Sequence, residues 1–410
     1  MCPHKVAFIS HSYVESAYRR KLVYLAQNSD LRLITPLSYP TPFGWYPLDF
    51  EFNSGVTIQS YPIHFLHLKR TSTRWLLRSS DLGFSRFQPD IIHVEMEPHG
   101  WITCQALLYR RLFAPQAKVI IFSWENLTLQ EQGTKARTLE YLSRFNRQFV
   151  DFFICGNIAG KQILVTKGIP ADKIAILPQC GFDPEVFWPY SPEQRKTCRR
   201  ELGISQTEFA IGFVGRFVEE KGILDLVEAV GRLKACSQRG LVLILVGKGP
   251  LEEGVRLRAG ELGIRLVLLP SRKYHEVVAT MNALDALVLP SRSTSFWKEQ
   301  FGRVLIEAMA CGAPVIGSNS GEIPSVIGDA GLIFPEGDAG QLSECLRLCC
   351  DNESFRLELG KRGLDRVLKN FTNREIARRT LEIYDKVTGQ NDMEDARSEV
   401  VKEVRLTTAE

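Results

Sequence analysis

The chain has 410 residues, and its ten cysteines stand as singles apart from the Cys349-Cys350 pair; no CxxC occurs. With no paired zinc spacing and no disulfide framework to read, free thiols in a reducing cytosol are expected. Long apolar runs are also missing. None approaches the ~20 residues that cross a bilayer, and the best, 241–246, reads as a buried strand. The first residues lead straight into a short strand, not into the long apolar stretch of a secretory leader. No zinc-finger or RNP-like motif is present, which argues against nucleic acid as a partner. After the first apolar strand, 6–10, the turn His11-Ser12-Tyr13 has no glycine, so a dinucleotide-binding GxGxxG is excluded there. Acidic residues are scarce in the first part. Residues 1–180 carry 20 Lys/Arg against 13 Asp/Glu, a net +7, whereas the remainder carries 31 against 34, a net −3. That asymmetry points to an anionic surface or acceptor for the first part.

What is present fits a two-domain α/β chain. The 44% hydrophobic and 24% charged content is that of an ordinary globular protein. Apolar runs at 6–10, 31–35, 91–94, 119–122 and 174–177 read as strands of a first sheet, with a helix over 18–26 and a long structured loop over 36–62. A second series follows: strands at 210–214, 241–246, 266–269, 286–289 and 315–316, and a helix from Ile223 to Leu233. Ligands of parallel α/β sheets bind at the carboxyl ends of strands, so Glu95-x-Glu97 and Trp124-Glu125 stand in functional positions. Glu95 and Glu97 have no His or Asp at ligand spacing. Such carboxylates are more often polar loop residues than metal ligands.

One stretch organises the second part. Glu299 and Glu307 are eight positions apart, separated by Phe301-Gly302-Arg303 and the apolar run Val304-Leu305-Ile306. The spacing predicts a loop ending near Phe301 and a helix from about 302 to 311, stopped by Gly312-Ala313-Pro314. A helix start carries unpaired N–H groups and partial positive charge, and Gly302 lets an anion approach the backbone closely. On a continuous helix the two carboxylates would lie roughly 12 Å apart along the axis. Taken alone, two glutamates around an amphipathic helix are most often solvated surface. Upstream, Arg216 at a strand end and Lys221 at a helix start could both face one diphosphate, or could be solvated termini.

The surroundings of these residues resemble a known family. Glu299-x7-Glu307, with Leu289-Pro290-Ser291 before it and Gly321-Glu322-Ile323-Pro324 and Gly328-Asp329-Ala330-Gly331 after it, is similar to the E-x7-E region of retaining glycosyltransferases, above all glycosyltransferase family 4. Gly215-Arg216-x4-Lys221-Gly222 is similar to that family's phosphate-binding Arg and Lys. The resemblance is strong over the second half and weaker over the first. It implies a GT-B architecture, two Rossmann-like domains facing a central cleft. Residues 1–184 would form the acceptor-side domain, completed by a C-terminal helix at 372–388. Residues 185–371 would form the nucleotide-sugar domain, and 389–410 a disordered tail. It also implies roles. Arg216, Lys221 and Glu299 would be catalytic, with Glu299 at the donor sugar. Gly215, Arg272, Lys273, Phe301, Gly302, Arg303 and Glu307 would bind the donor, with Glu307 at the ribose and the stretch around Arg272-Lys273 at the base. Trp124-Glu125 stands where family members carry a His-Asp pair and is the acceptor-side candidate.

The resulting expectation is a retaining, metal-independent transferase with a nucleoside-diphosphate sugar as donor substrate and no further cofactor. Its acceptor would be a glycan or lipid-linked glycan of polysaccharide or cell-envelope biosynthesis. A sugar-nucleotide epimerase would need an acid/base set that the chain does not display. A non-catalytic sugar-nucleotide-binding protein would have no use for leaving-group cations. Lys69-Arg70, Arg74 and Arg78 follow helical spacing around Trp75-Leu76-Leu77. As a helix, that segment would present a basic, aromatic face to an anionic bilayer, giving a cytoplasmic protein with peripheral membrane contact.

Overall fold

The computed structural model describes residues 3–41, 44–50, 55–65, 75–128, 134–271 and 276–389. Its framework is two parallel sheets. The first has seven strands in the order Ile174–Ile176, Phe152–Cys155, Lys118–Ser123, Ile91–Glu95, His4–Ile9, Ser29–Pro36, Thr57–Tyr61. The second has six, in the order Arg265–Leu269, Leu241–Val246, Phe209–Val214, Ala286–Leu289, Val315–Ser318, Leu332–Phe334. Strands covered on both faces by helices must be apolar throughout, and Leu241–Val246 is buried at every position. In each sheet the strand order reverses once. The reversal lies between His4–Ile9 and Ile91–Glu95 in the first, and between Phe209–Val214 and Ala286–Leu289 in the second. A crevice opens at such a reversal, because the loops on either side depart in opposite directions.

Three readings of the first part change. The span 36–62 is not one loop, for Thr57–Tyr61 pairs in parallel with Ser29–Pro36 as the sheet's edge strand. Its Thr-Ile-Gln-Ser-Tyr sequence is half-buried, as an edge allows, and so lacks the apolar run that marks a central strand. Phe152–Cys155 is a further central strand, four residues long and wholly buried. Trp75–Leu77 is a strand paired antiparallel with Ile63–Phe65, not part of a basic helix, and Trp75 is fully buried. Its indole packs edge-on against Tyr39 and His11. Lys69, Arg70 and Arg74 lie outside the described residues.

The chain crosses between the lobes twice, side by side. Phe182 and Thr372 form a parallel bridge, in which Phe182 N donates to Phe371 O (3.0 Å) and Asn373 N to Phe182 O (2.9 Å). Thr372 then caps the helix Asn373–Thr388 through its side chain. That helix packs against Arg20–Ala26 of the first lobe, burying Ile376, Ala377 and Tyr384 among Phe8, Leu22 and Leu25. Tyr384 Oη and His93 Nδ1 are 2.8 Å apart. Gly389 closes the helix with φ +76°, and the residues beyond it lie outside those described.

Candidate active site

The site begins at the reversal of the second sheet. Strand Phe209–Val214 runs into Gly215, whose N–H donates to Val246 O (3.0 Å) and is thereby committed to the sheet. Arg216 follows, about half exposed (49%), with its guanidinium 3.3 Å from Glu220. A single 3-10 turn, Glu219–Lys221, then brings Lys221 around, and Gly222 starts the helix Ile223–Cys236. Gly222 has φ +62°, and a Cβ there would sit 1.9 Å from Pro290 O. Only glycine lets the Lys221 turn close against the loop leaving Ala286–Leu289.

That contact unites the two motifs. Lys221 Nζ is 2.6 Å from Glu299 Oε2, and Ser291 Oγ donates to the same oxygen at 2.8 Å. The ammonium also lies 4.7 Å from the centre of the Trp297 ring. Glu299 is buried and not part of a solvated surface; burial without such partners would be prohibitive for a carboxylate. Glu307 is buried too, held by Arg303 Nε at 2.6 Å one helical turn away. The helix is Arg303–Ala310, with Gly302 (φ +77°) at its start and no side chain capping it. The partial positive charge of such a helix start suits an anion. Phe301 is buried between Trp124 and Phe371, with ring centres 6.3 and 5.7 Å away.

The structure therefore joins Lys221 directly to Glu299, and Arg303 to Glu307, whereas Arg216 touches neither pair. Arg272 and Lys273 lie outside the described residues. Among those described, no group of three or more His, Cys, Asp or Glu residues could hold a metal ion.

The facing lobe supplies carboxylates. Glu95 is buried and held by Lys21 (2.8 Å), Tyr13 (3.0 Å), Ser10 (3.0 Å) and Gln179 (2.6 Å), so it ties four segments together. Glu97 accepts from Trp124 N (2.9 Å) and from Ser123 Oγ. Burial, and then the neighbouring Glu125 charge, push its carboxyl up to about 7. Glu125 is paired with Lys167 (3.2 Å) and lies 3.9 Å from His99. The Trp124 indole donates to Gln179 (3.0 Å). Sequence reasoning treated Glu97 as a loop carboxylate and did not single out Lys167 or His99. Their only shared signal is a position just past a strand end or in a nearby helix turn, and pairing across 42 residues is invisible in a linear pattern.

The lobes meet at this site. Asn126 Nδ2 donates to Lys298 O (3.2 Å) and Glu299 O (3.3 Å), and Gln300 Nε2 to Trp124 O (3.0 Å). Residues 194–366 match the family model for glycosyl transferases group 1. The chain as a whole has the GT-B fold. HepE of Anabaena, in complex with UDP, superposes with a TM-score of 0.70, covering 93% of this chain and 100% of that one, at 16% identity. Among curated proteins, a GDP-mannose-dependent monoacylated alpha-(1-6)-phosphatidylinositol monomannoside mannosyltransferase of Corynebacterium glutamicum is 31% identical over 45% of this chain and 49% of its own. A D-inositol 3-phosphate glycosyltransferase of Stackebrandtia nassauensis is 32% identical over 47% and 44%. The chain thus spans about half the length of the curated relatives it matches, and the family-model match, 194–366, includes both glutamates.

Proposed function

We propose that the protein is a retaining, metal-independent glycosyltransferase of family 4. In this reading it moves a sugar from a nucleoside-diphosphate sugar to a glycan or lipid-linked glycan of the cell envelope. The observation that carries the reading is the Lys221–Glu299 pair, part-buried at the sheet reversal beside an uncapped helix start. A diphosphate that engages Lys221 and the Gly302 helix start releases Glu299 to accept from sugar hydroxyls. Arg216 turns from Glu220 onto the same phosphates, and the cations offset charge as the leaving group departs. The acceptor oxygen bonds to the anomeric carbon, the carbon–phosphate oxygen bond breaks, and the acceptor's proton passes to the departing phosphate on the same face. No protein nucleophile is required. Two cations and a helix start take the place of a metal, in keeping with a sequence that has no Asp-x-Asp at this site.

Peripheral attachment to an anionic membrane is part of the reading. It is supported by the net +7 of residues 1–180 and by the helix Thr134–Arg147. Tyr141 (72% exposed) and Phe145 (49%) share one helix face with the exposed Arg144, and Phe149 (38%), just past the helix end, packs its ring 5.1 Å from that of Phe145. The acidic Glu140 is paired with Arg147 at 3.3 Å. Aromatic rings interleaved with cations suit the bilayer interface.

The test is a thermal-shift screen of UDP- and GDP-sugars, followed by nucleoside-diphosphate release with the best donor in excess chelator. A donor at 100 times its Kd stabilises by about 2.7 kcal/mol. Release that persists in chelator is expected. Release that stops there and returns with Mg²⁺ or Mn²⁺ would overturn metal independence, and a screen with no responding donor would overturn the whole reading.

A further inference from the structure

Between the lobes lies a second space, a cavity of about 470 Å³. Asn126, Asn157 and Gln162 line it from the first lobe, and Ser293, Lys298 and Glu322 from the second. Its lining includes none of Arg216, Lys221, Glu299, Gly302 or Glu307. It nevertheless adjoins the donor site, since Asn126 bonds the carbonyls of Lys298 and Glu299. Its volume falls within the ~300–1,000 Å³ of ordinary ligand pockets.

Asn157 is the informative residue. It is 1% exposed, and its Oδ1 caps the helix Ile158–Thr166 by accepting from Gly160 N (2.7 Å). Its Nδ2 is buried with no hydrogen-bond partner. A buried amide donor left unpaired costs roughly 1–3 kcal/mol, so its persistence beside a cavity calls for an acceptor group there. The same helix end faces the second lobe, where Ile158 N donates to Glu322 Oε2 (3.2 Å).

We propose that this cavity seats the acceptor's attacking ring, and that the ring is a hydroxyl-rich saccharide without a phosphate of its own. The inference rests on the glycosyltransferase reading and adds to it the acceptor's chemical class. Amides and hydroxyls both donate and accept, and carboxylates accept, so together they match the hydroxyls of a saccharide. Charge selects within that class. Glu322 and Glu336 place two carboxylates on the cavity against the single ammonium of Lys298, a balance that repels a phosphate. The adjoining Glu299 loop directs the ring toward the donor sugar.

Saturation-transfer NMR on the full chain, with UDP or GDP present, tests this with methyl glucoside, glucosamine and glucose 6-phosphate as probes. The first two should give ring-proton signals at least threefold above glucose 6-phosphate. Ala159→Trp, which fills the cavity from its helix wall, should remove those signals and leave the nucleotide signal unchanged. Asn157→Asp, which keeps the cap oxygen and deletes the donor, should weaken them severalfold. Saccharide signals indifferent to both variants, or strongest for glucose 6-phosphate, would overturn the acceptor assignment while nucleotide binding stood. Absence of any UDP or GDP signal in the native chain would remove the glycosyltransferase reading, and this inference with it.

Discussion

At the scale of single residues, the two glutamates separate by what each is paired with. Glu299 shares a proton-rich pocket with Lys221 and Ser291, and the proposal places it at the bond that breaks. Glu307 is held by Arg303, and the proposal places it at the ribose, which changes little as the bond breaks. Contacts that strengthen in the transition state act on kcat, whereas uniform binding acts on KM. Glu299→Ala should therefore depress kcat strongly with a modest change in donor KM. Glu307→Ala should weaken donor binding by about 1.5–3 kcal/mol, the value of a charged hydrogen bond. Steady-state kinetics on folded variants decide; near-normal turnover in both would place the site elsewhere. Glu97 makes a different prediction. Its carboxyl titrates near 7, above the ordinary 4.5, because burial penalises its charged form. Stability is thus fully present below about 4.5 and falls as pH rises through 7. Glu97→Gln cannot ionise, so its melting temperature relative to the native chain should climb between pH 5 and pH 8. A pH-independent difference would show that Glu97 is already charged at pH 5.

Elements carry the membrane question. The segment first read as a basic helix holds a strand whose Trp75 is buried, so its rings cannot reach a bilayer. The face of Thr134–Arg147 presents Tyr141 and Phe145 to solvent instead. Both segments read as basic and amphipathic from the sequence pattern. The difference lies in which apolar side the core consumes. Tyr141→Ser with Phe145→Ser should cut co-sedimentation with anionic liposomes severalfold and leave stability within about 0.5 kcal/mol, as exposed positions allow. Added salt should weaken the native chain's binding. Binding unaffected by both the substitutions and anionic lipid content would count against membrane attachment through this face.

For the whole molecule, the decisive feature is the return of the last helix to the first lobe. Tyr384 is fully buried there, and its hydroxyl meets His93 of a central strand. Tyr384→Phe should cost about 1–3 kcal/mol, because the imidazole nitrogen loses its partner. Tyr384→Ala should cost about 3–5 kcal/mol through the cavity it leaves. Arg378→Ala, on the exposed face of the same helix, should change little. Urea denaturation ranks the three, and equal effects would mean that the helix is not docked as described.

Much of this protein was decided locally. Central strands such as Leu241–Val246 announce themselves because burial on both faces forbids polar residues. The helix after Gly302 is legible because a glycine start, an apolar stripe and a Gly-Ala-Pro stop are near-neighbour signals. The order of motifs along the second half carried the GT-B architecture with it. What lay beyond the sequence depends on distance in space. Thr57–Tyr61 is a strand because Ser29–Pro36 offers it an open edge, and Trp75 is buried because Tyr39 and His11 close over it. Lys221 meets Glu299 across 78 positions only because the sheet reverses between their strands. The Glu97 carboxyl is pushed up to about 7 because the protein interior, and then the Glu125 charge, are brought to it. Charge, burial and pairing are properties of neighbourhoods, and the chain acquires those neighbourhoods only when both sheets have formed.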